Sequence, residues 1–191
     1  TATPHGAAFR FFARRDDVTV LFDAARSLSL TESTGRVHVV SRRELEGEVQ
    51  TGGFCLQKNL QKVYFVARFD RDAAAAGTWQ DDAPGDAADA AGNVGAWFRF
   101  STSSARTVEL VVGVSYVSVD GARANLEAEL AGHRFDELRL SAQAAWEAAL
   151  GRIRVDGGTA DERTIFYTAL YHALLHPSLA SDVDGGHLRF G

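Results

Sequence analysis

From Thr164 to Pro177 the chain reads Thr-Ile-Phe-Tyr-Thr-Ala-Leu-Tyr-His-Ala-Leu-Leu-His-Pro, and it soon reaches Ser181-Asp182-Val183-Asp184-Gly185. Ile165, Ala169, Leu170, Ala173 and Leu174 recur at helical spacing, while Phe166, Tyr167 and Tyr171 fill other faces. A helix that is apolar around most of its circumference belongs inside a helical assembly, not on the rim of a small β domain. Pro177 stops it. The loop that follows carries two carboxylates beside glycines, an arrangement suited to the floor of a polar pocket. The sequence predicts that this helix, over 161–175, finds no apolar partners in the rest of the chain.

The first 118 residues have a different period. In 107–118, Val108, Leu110, Val112, Val114 and Tyr116 alternate onto one face, and Glu109, Gly113 and Ser115 lie on the other. Further strands are expected at 9–13, 18–23, 36–41, 63–70 and 96–100. Turn residues such as Arg15-Asp16-Asp17 and Ser33-Thr34-Gly35 separate short strands, which points to an antiparallel β-sandwich. The Ala/Asp/Gly-rich stretch 71–93 has few large apolar residues and is expected to be a mobile loop with Trp79 as its anchor.

After Ser118 the period becomes helical. Asp120 is placed as a cap, with Ala122, Leu126 and Leu130 on one face until Gly132-His133 breaks the helix. A second helix is expected over 135–150, its inward face formed by Leu138, Ala142, Ala145, Trp146 and Ala149, with Gly151 ending it. Ile153 and Val155 suggest a short strand. Thr159 and Glu162 form a capping box for the third helix. The expected fold is therefore mainly β with α. A β-sandwich at 1–118 is followed by a helical linker at 119–152, and 153–191 begins a helical domain.

Composition excludes some classes. The net charge is −5, and the 18 Arg and 2 Lys are scattered among carboxylates, so no nucleic-acid surface is expected. No apolar run is long enough to span a membrane. The single Cys55 cannot close an intramolecular disulfide. The chain has no Met and begins at Thr1, and it is expected to be a segment of something longer.

Several residue groups bear on chemistry. His172 and His176, at i and i+4, could chelate zinc, but no third ligand accompanies them, and hydrogen bonds in a polar-lined core are expected instead. Asp182-Val183-Asp184-Gly185 resembles the start of a calcium loop but lacks its closing ligands. Trp97, Trp146, Tyr167 and Tyr171 are expected in the core. Glu127, Glu129, Asp136 and Glu137 are expected on a solvated face. Cys55 has no partner that would make it a nucleophile.

Three sets of words resemble glycoside hydrolase family 92, the calcium-dependent exo-acting α-mannosidases. One is Phe166-Tyr167-Thr168-Ala169-Leu170-Tyr171-His172, His176-Pro177 and Asp182-Val183-Asp184-Gly185. The second is Val114-Ser115-Tyr116-Val117-Ser118 followed by Ala122-Arg123-Ala124-Asn125-Leu126-Glu127. The third is Gly52-Gly53-Phe54-Cys55 with Val63-Tyr64-Phe65-Val66-Ala67-Arg68-Phe69. The resemblance implies that the C-terminal helix begins an (α/α) barrel. It implies that Asp184 and Gly185, with Asp182 second, line the subsite for a terminal mannose. The Phe54–Cys55 loop of the sandwich would contribute across the domain boundary. Where the family continues with a basic residue and Tyr, this chain has Gly186-His187. The resemblance further implies α-mannoside glycans, α-1,2-linked in N-glycans or mannan, as substrate, and an inverting mechanism. It implies a secreted or periplasmic location, and a partner in the remainder of the catalytic domain. That remainder would hold the acid, the base and the calcium ligands, so this segment alone is expected to be inactive. The alternative from a different class is a non-catalytic carbohydrate-binding β-sandwich. A third reading is a purely structural domain.

Overall fold

The computed structural model of the protein describes residues 1–26, 33–52, 60–175 and 179–188. The strands are β1 (Ala2–Thr3), β2 (Gly6–Phe12), β3 (Asp17–Asp23), β4 (Thr34–Ser41), β5 (Glu44–Thr51) and β6 (Gln61–Phe69). They continue with β7 (Ala75–Gln80), β8 (Ala83–Pro84), β9 (Asp89–Gly92), β10 (Val94–Ser101) and β11 (Thr107–Ser115). The helices α1 (Val119–Glu129), α2 (Phe135–Leu150) and α3 (Ala160–Ala173) follow. Among the described residues, one sheet runs β1-β2-β11-β6-β5-β4-β9 and the other β3-β10-β7-β8. Neighbouring strands pair antiparallel, so the expected sandwich is present.

Alternation explains the core. Val108 and Leu110 of β11, Phe65, Ala67 and Phe69 of β6, and Ala96, Phe98 and Phe100 of β10 point between the sheets. The Phe69 ring lies 4.8 Å from each of the Phe98 and Phe100 rings. The opposite face of the large sheet is buried as well, because α1 lies across it. Val66 packs there with Ala122, Leu126 and Leu130. This is why 63–67 reads as an unbroken apolar run instead of an alternating one. Gly113 makes the approach possible: a Cβ there would collide with Ala122 O and lie 2.7 Å from Leu126 Cβ.

Several expectations are corrected. The stretch 71–93 contains β7, β8 and β9 in place of a mobile loop. Cross-strand pairs supply what its composition lacks: Trp79 lies opposite Gly95, and Trp97 opposite Gly77. Each indole covers the neighbouring strand's glycine. Trp97 therefore lies on the outer face of the small sheet, outside the core, with Nε1 donating to Gly85 O at 3.1 Å. Strand β5 was not anticipated, because its outward positions are glutamates. The last strand ends at Ser115, not 118, and Ser118 caps α1 in place of Asp120, its Oγ accepting from Gly121 N at 3.0 Å. Ile153 and Val155 form no strand.

Helix α2 has its expected bounds, but only Leu138 of its inward face is buried. The capping box of α3 is present: Thr159 Oγ1 accepts from Glu162 N at 3.2 Å and Glu162 Oε2 accepts from Thr159 N at 2.7 Å. No residue of α3 is buried, so Tyr167 and Tyr171 are not in the core. The Tyr171 ring packs against Trp146 at 4.7 Å, tilted by 52°, so the helix does find one apolar partner in the chain, in α2, contrary to expectation.

Candidate functional site

The acidic loop predicted from the sequence closes on itself. Asp182 N donates to Gly186 O at 2.7 Å, Gly185 N donates to Asp182 O at 2.9 Å, and Ser181 bridges to His187. Gly185 sits at φ +84°, a left-handed conformation that glycine adopts without strain. Nothing lies within 4 Å of where its Cβ would be, so the backbone here is open to a ligand. Asp184 is exposed, and its Oδ1 accepts from Gly186 N at 2.8 Å, which orients the carboxylate.

Asp182 behaves differently from Asp184. It is 7% exposed, and each carboxylate oxygen has a donor within the chain. Ser115 Oγ donates to Oδ2 at 2.7 Å and Asn125 Nδ2 donates to Oδ1 at 2.8 Å. Asn125 also donates to Val114 O at 2.8 Å, and its Oδ1 accepts from Val183 N at 2.9 Å. A carboxylate withdrawn from water needs such donors. The structure thus joins three elements at one point: the end of β11, the middle of α1 and the acidic loop.

Ser115 and Asn125 were not singled out as site residues. A signal for Asn125 exists in the sequence. It shares the inner stripe of α1 with Ala122 and Leu126, and a polar side chain on a buried stripe must find a partner. Phe54 and Cys55 lie outside the described residues. The flanking positions Thr51 and Gln61 pair with each other at the end of β5 and the start of β6. Tyr64, further along β6, pairs with Ser115. Thr51 and Gln61 therefore lie at the same end of the large sheet as Ser115, which holds the acidic loop.

A depression of about 440 Å³ adjoins the loop, lined among others by His5, Tyr116, Trp146 and Asp182. His5 Nδ1 meets Glu129 Oε1 at 2.5 Å, and His5 N donates to Glu129 Oε2 at 3.0 Å. Burial alone would raise the Glu129 carboxyl, but the hydrogen bonds from His5 hold it below the usual carboxylate range.

Of the linker carboxylates, Glu127, Asp136 and Glu137 are exposed, as expected, and Glu129 is half-buried against His5. The exposed ones still engage in ion pairs, and α1 sets Arg123 against the glutamates of the sheet. Arg123 donates to Glu44 and Glu46, each at 2.6 Å. Arg68 bonds Glu44 at 2.7 Å and Glu127 at 2.8 Å. Burial would raise the Glu44 carboxyl, and the two arginines more than offset it, holding it low. Asp136 pairs with Arg10 at 3.0 Å, and Glu137 Oε2 accepts from Arg134 N to cap α2.

His172 is exposed against the Tyr171 ring, not set in a polar core, and His176 lies outside the described residues. Among the described residues, no three His, Cys, Asp or Glu side chains converge so as to hold a metal ion, so this donor set does not fit calcium. No helix among them is long and apolar enough to cross a membrane.

Two family models match the chain. The glycosyl hydrolase family 92 N-terminal domain covers residues 1–115, and the family's catalytic domain covers 121–190. An uncharacterized secreted glycosidase of Arthroderma benhamiae is 34% identical over 85 residues, 42% of this chain and 11% of that protein. A family GH92 α-mannosidase from Bacteroides thetaiotaomicron matches at TM-score 0.86 and 29% identity, over 97% of this chain and 26% of that one. A family GH92 inverting mannosidase from the same species matches at TM-score 0.82 and 25% identity, over 97% of this chain and 25% of that one. The chain thus spans about a quarter of the solved structures and about a tenth of the curated relative.

Proposed function

The chain belongs to glycosyl hydrolase family 92, and on that premise we propose that the complete protein is an exo-acting α-mannosidase to which this chain contributes one wall of the active site. In this reading it releases terminal mannose from α-1,2-linked N-glycans or mannan. It inverts the anomeric centre, uses calcium, and works outside the cytoplasm. The acid, the base and the calcium ligands are assigned to other parts of the protein.

One observation carries the proposal. The acidic turn is held at the end of the large sheet where Thr51 of β5 pairs with Gln61 of β6, with Asp184 exposed and Gly185 open above its backbone. A carboxylate accepts hydrogen bonds from two vicinal sugar hydroxyls, and a glycine beside it lets the ring approach the backbone. The likeness to α-mannosidases over nearly the whole chain supports this assignment. Asp182, whose oxygens are engaged internally, is proposed to hold the loop instead of touching sugar.

The test is mannose release from an α-1,2-mannobiose by the full-length protein, with calcium and then with a chelator. Release that the chelator abolishes is expected. Asp184→Ala should lower kcat/KM about 10- to 150-fold, the equivalent of a charged hydrogen bond of about 1.5–3 kcal/mol. No turnover of any α-mannoside linkage by folded full-length protein would overturn the proposal. Sugar binding without turnover would then favour a carbohydrate-binding module.

A further inference from the structure

We infer that Ser115, Gly121 and Asn125 are positioning residues. They form a latch on Asp182 that sets where Asp184 and Gly185 stand. The inference rests on the reading of Asp184 and Gly185 as the sugar-facing turn.

The latch is built from both sides of the junction between strand and helix. Ser115 Oγ donates to Asp182 Oδ2, and it accepts in turn from Val117 N at 2.8 Å and Ser118 N at 3.3 Å. The hydroxyl is thereby aimed by the backbone turn that leads into α1. Asn125 is 1% exposed and engages the loop twice, through the Asp182 carboxylate and through Val183 N. Its second amide hydrogen is spent on Val114 O, so its rotamer and its amide orientation are both determined.

Gly121 completes the latch by leaving room. It lies in the first turn of α1, where a Cβ would collide with Asp182 Oδ2 and lie 2.8 Å from Ser115 Oγ. Its φ is not left-handed, so the backbone there would accept any residue. The glycine is explained by the carboxylate beside it, because glycine inside a helix is otherwise unfavourable.

What is fixed at Asp182 is transmitted to Asp184. The bonds from Asp182 N to Gly186 O and from Gly185 N to Asp182 O close residues 182–186 into one turn. Within that turn Asp184 Oδ1 is tied to Gly186 N. With the anchor seated, the exposed carboxylate has little freedom. With the anchor free, the turn keeps its shape and loses its place. Displacing a substrate-positioning group by about 1 Å can cost on the order of 100-fold in rate.

Gly121→Ala is the discriminating variant, since alanine favours the helix while it evicts the carboxylate. It is to be made in the full-length protein beside Ser115→Ala, Asp184→Ala and the double variant Gly121→Ala/Asp184→Ala. Amide exchange of the 179–188 peptide and kcat/KM on α-1,2-mannobiose are measured together. The latch predicts exchange at least about tenfold faster in 179–188 for Gly121→Ala and Ser115→Ala, with β6 and β11 unchanged. It predicts a fall in kcat/KM on the order of 10- to 100-fold. It also predicts that the double variant is no worse than Asp184→Ala alone.

Normal exchange and normal kcat/KM in both latch variants, with Asp184→Ala impaired, would overturn the inference and leave the sugar-site reading intact. Additive losses in the double variant would overturn it too. If Asp184→Ala keeps full turnover while the latch variants loosen the loop, the sugar-site reading fails. The latch is then a fastening only, and the positioning inference is overturned with it.

Discussion

Helix α1 and helix α3 start with the same local chemistry and end in opposite environments. Both have a hydroxyl N-cap, Ser118 and Thr159, and both carry an acidic residue in the first turn. Helix α1 buries Ala122, Asn125 and Leu126 against the sheet and spends Arg123 and Glu127 on ion pairs with it. Helix α3 buries nothing, and its Ile165 is 68% exposed. Caps and periodicity therefore place a helix approximately along the chain, with the cap of α1 at Ser118 and not Asp120. They do not say what it packs against, and a helix of this length owes most of its stability to packing.

The comparison can be broken most directly in the 191-residue chain by truncating one apolar residue from each helix. Leu126→Ala should cost about 2–5 kcal/mol in denaturant unfolding, because it empties a wholly buried site. Ile165→Ala should change stability by less than about 0.5 kcal/mol. Equal effects would mean that α3 is packed in solution. Gly113→Ala should cost about 1–3 kcal/mol, since the methyl group meets the α1 backbone and has nowhere to move. Wild-type stability in that variant would show that α1 is free to shift across the sheet.

The ion pairs sharpen the contrast by adding pH. The Glu44 carboxyl is lower in the folded protein than its ordinary value of 4.5. Its contribution is therefore complete above about 4.5 and is lost as pH falls through the folded value. Glu44→Ala should cost about 1–2 kcal/mol at neutral pH, and it should flatten the decline in stability seen on acidification. An unchanged acid limb would remove Glu44 from the account. Thr159→Ala is expected to have the smallest global effect. It should cost the third helix about 1 kcal/mol, read as faster amide exchange in its first turn, and leave the unfolding midpoint nearly unchanged.

The local elements were legible where a strong local signal exists. The bounds of α2, the capping box of α3 and the inner stripe Ala122-Leu126-Leu130 follow from spacing and cap residues alone. Strands β2, β3, β4, β10 and β11 follow from alternation, and β6 from an apolar run buried on both faces. Strands β5 and β7 to β9 carry no such signal, because glutamates, alanines and glycines largely fill them. Their β structure comes from neighbours, such as the indoles laid over Gly77 and Gly95. Strand propensity is largely packing against cross-strand partners, which a linear reading does not contain.

The site divides in the same way. A carboxylate beside a glycine after a stopped helix does not by itself imply a sugar site. Asp184 and Gly185 could be proposed from the sequence because Asp182-Val183-Asp184-Gly185 resembles the family's mannose-subsite word. The different fate of Asp182, two positions earlier, could not. Sequence spacing alone does not say that Ser115 and Asn125 come from 67 and 57 residues away to meet it. Residue type and local period determined which segments become strands, helices and turns. Only the tertiary structure decided which of two similar aspartates is buried and bound. A carboxylate's role depends on the donors brought to it, and here those donors come from a strand and a helix remote in the chain.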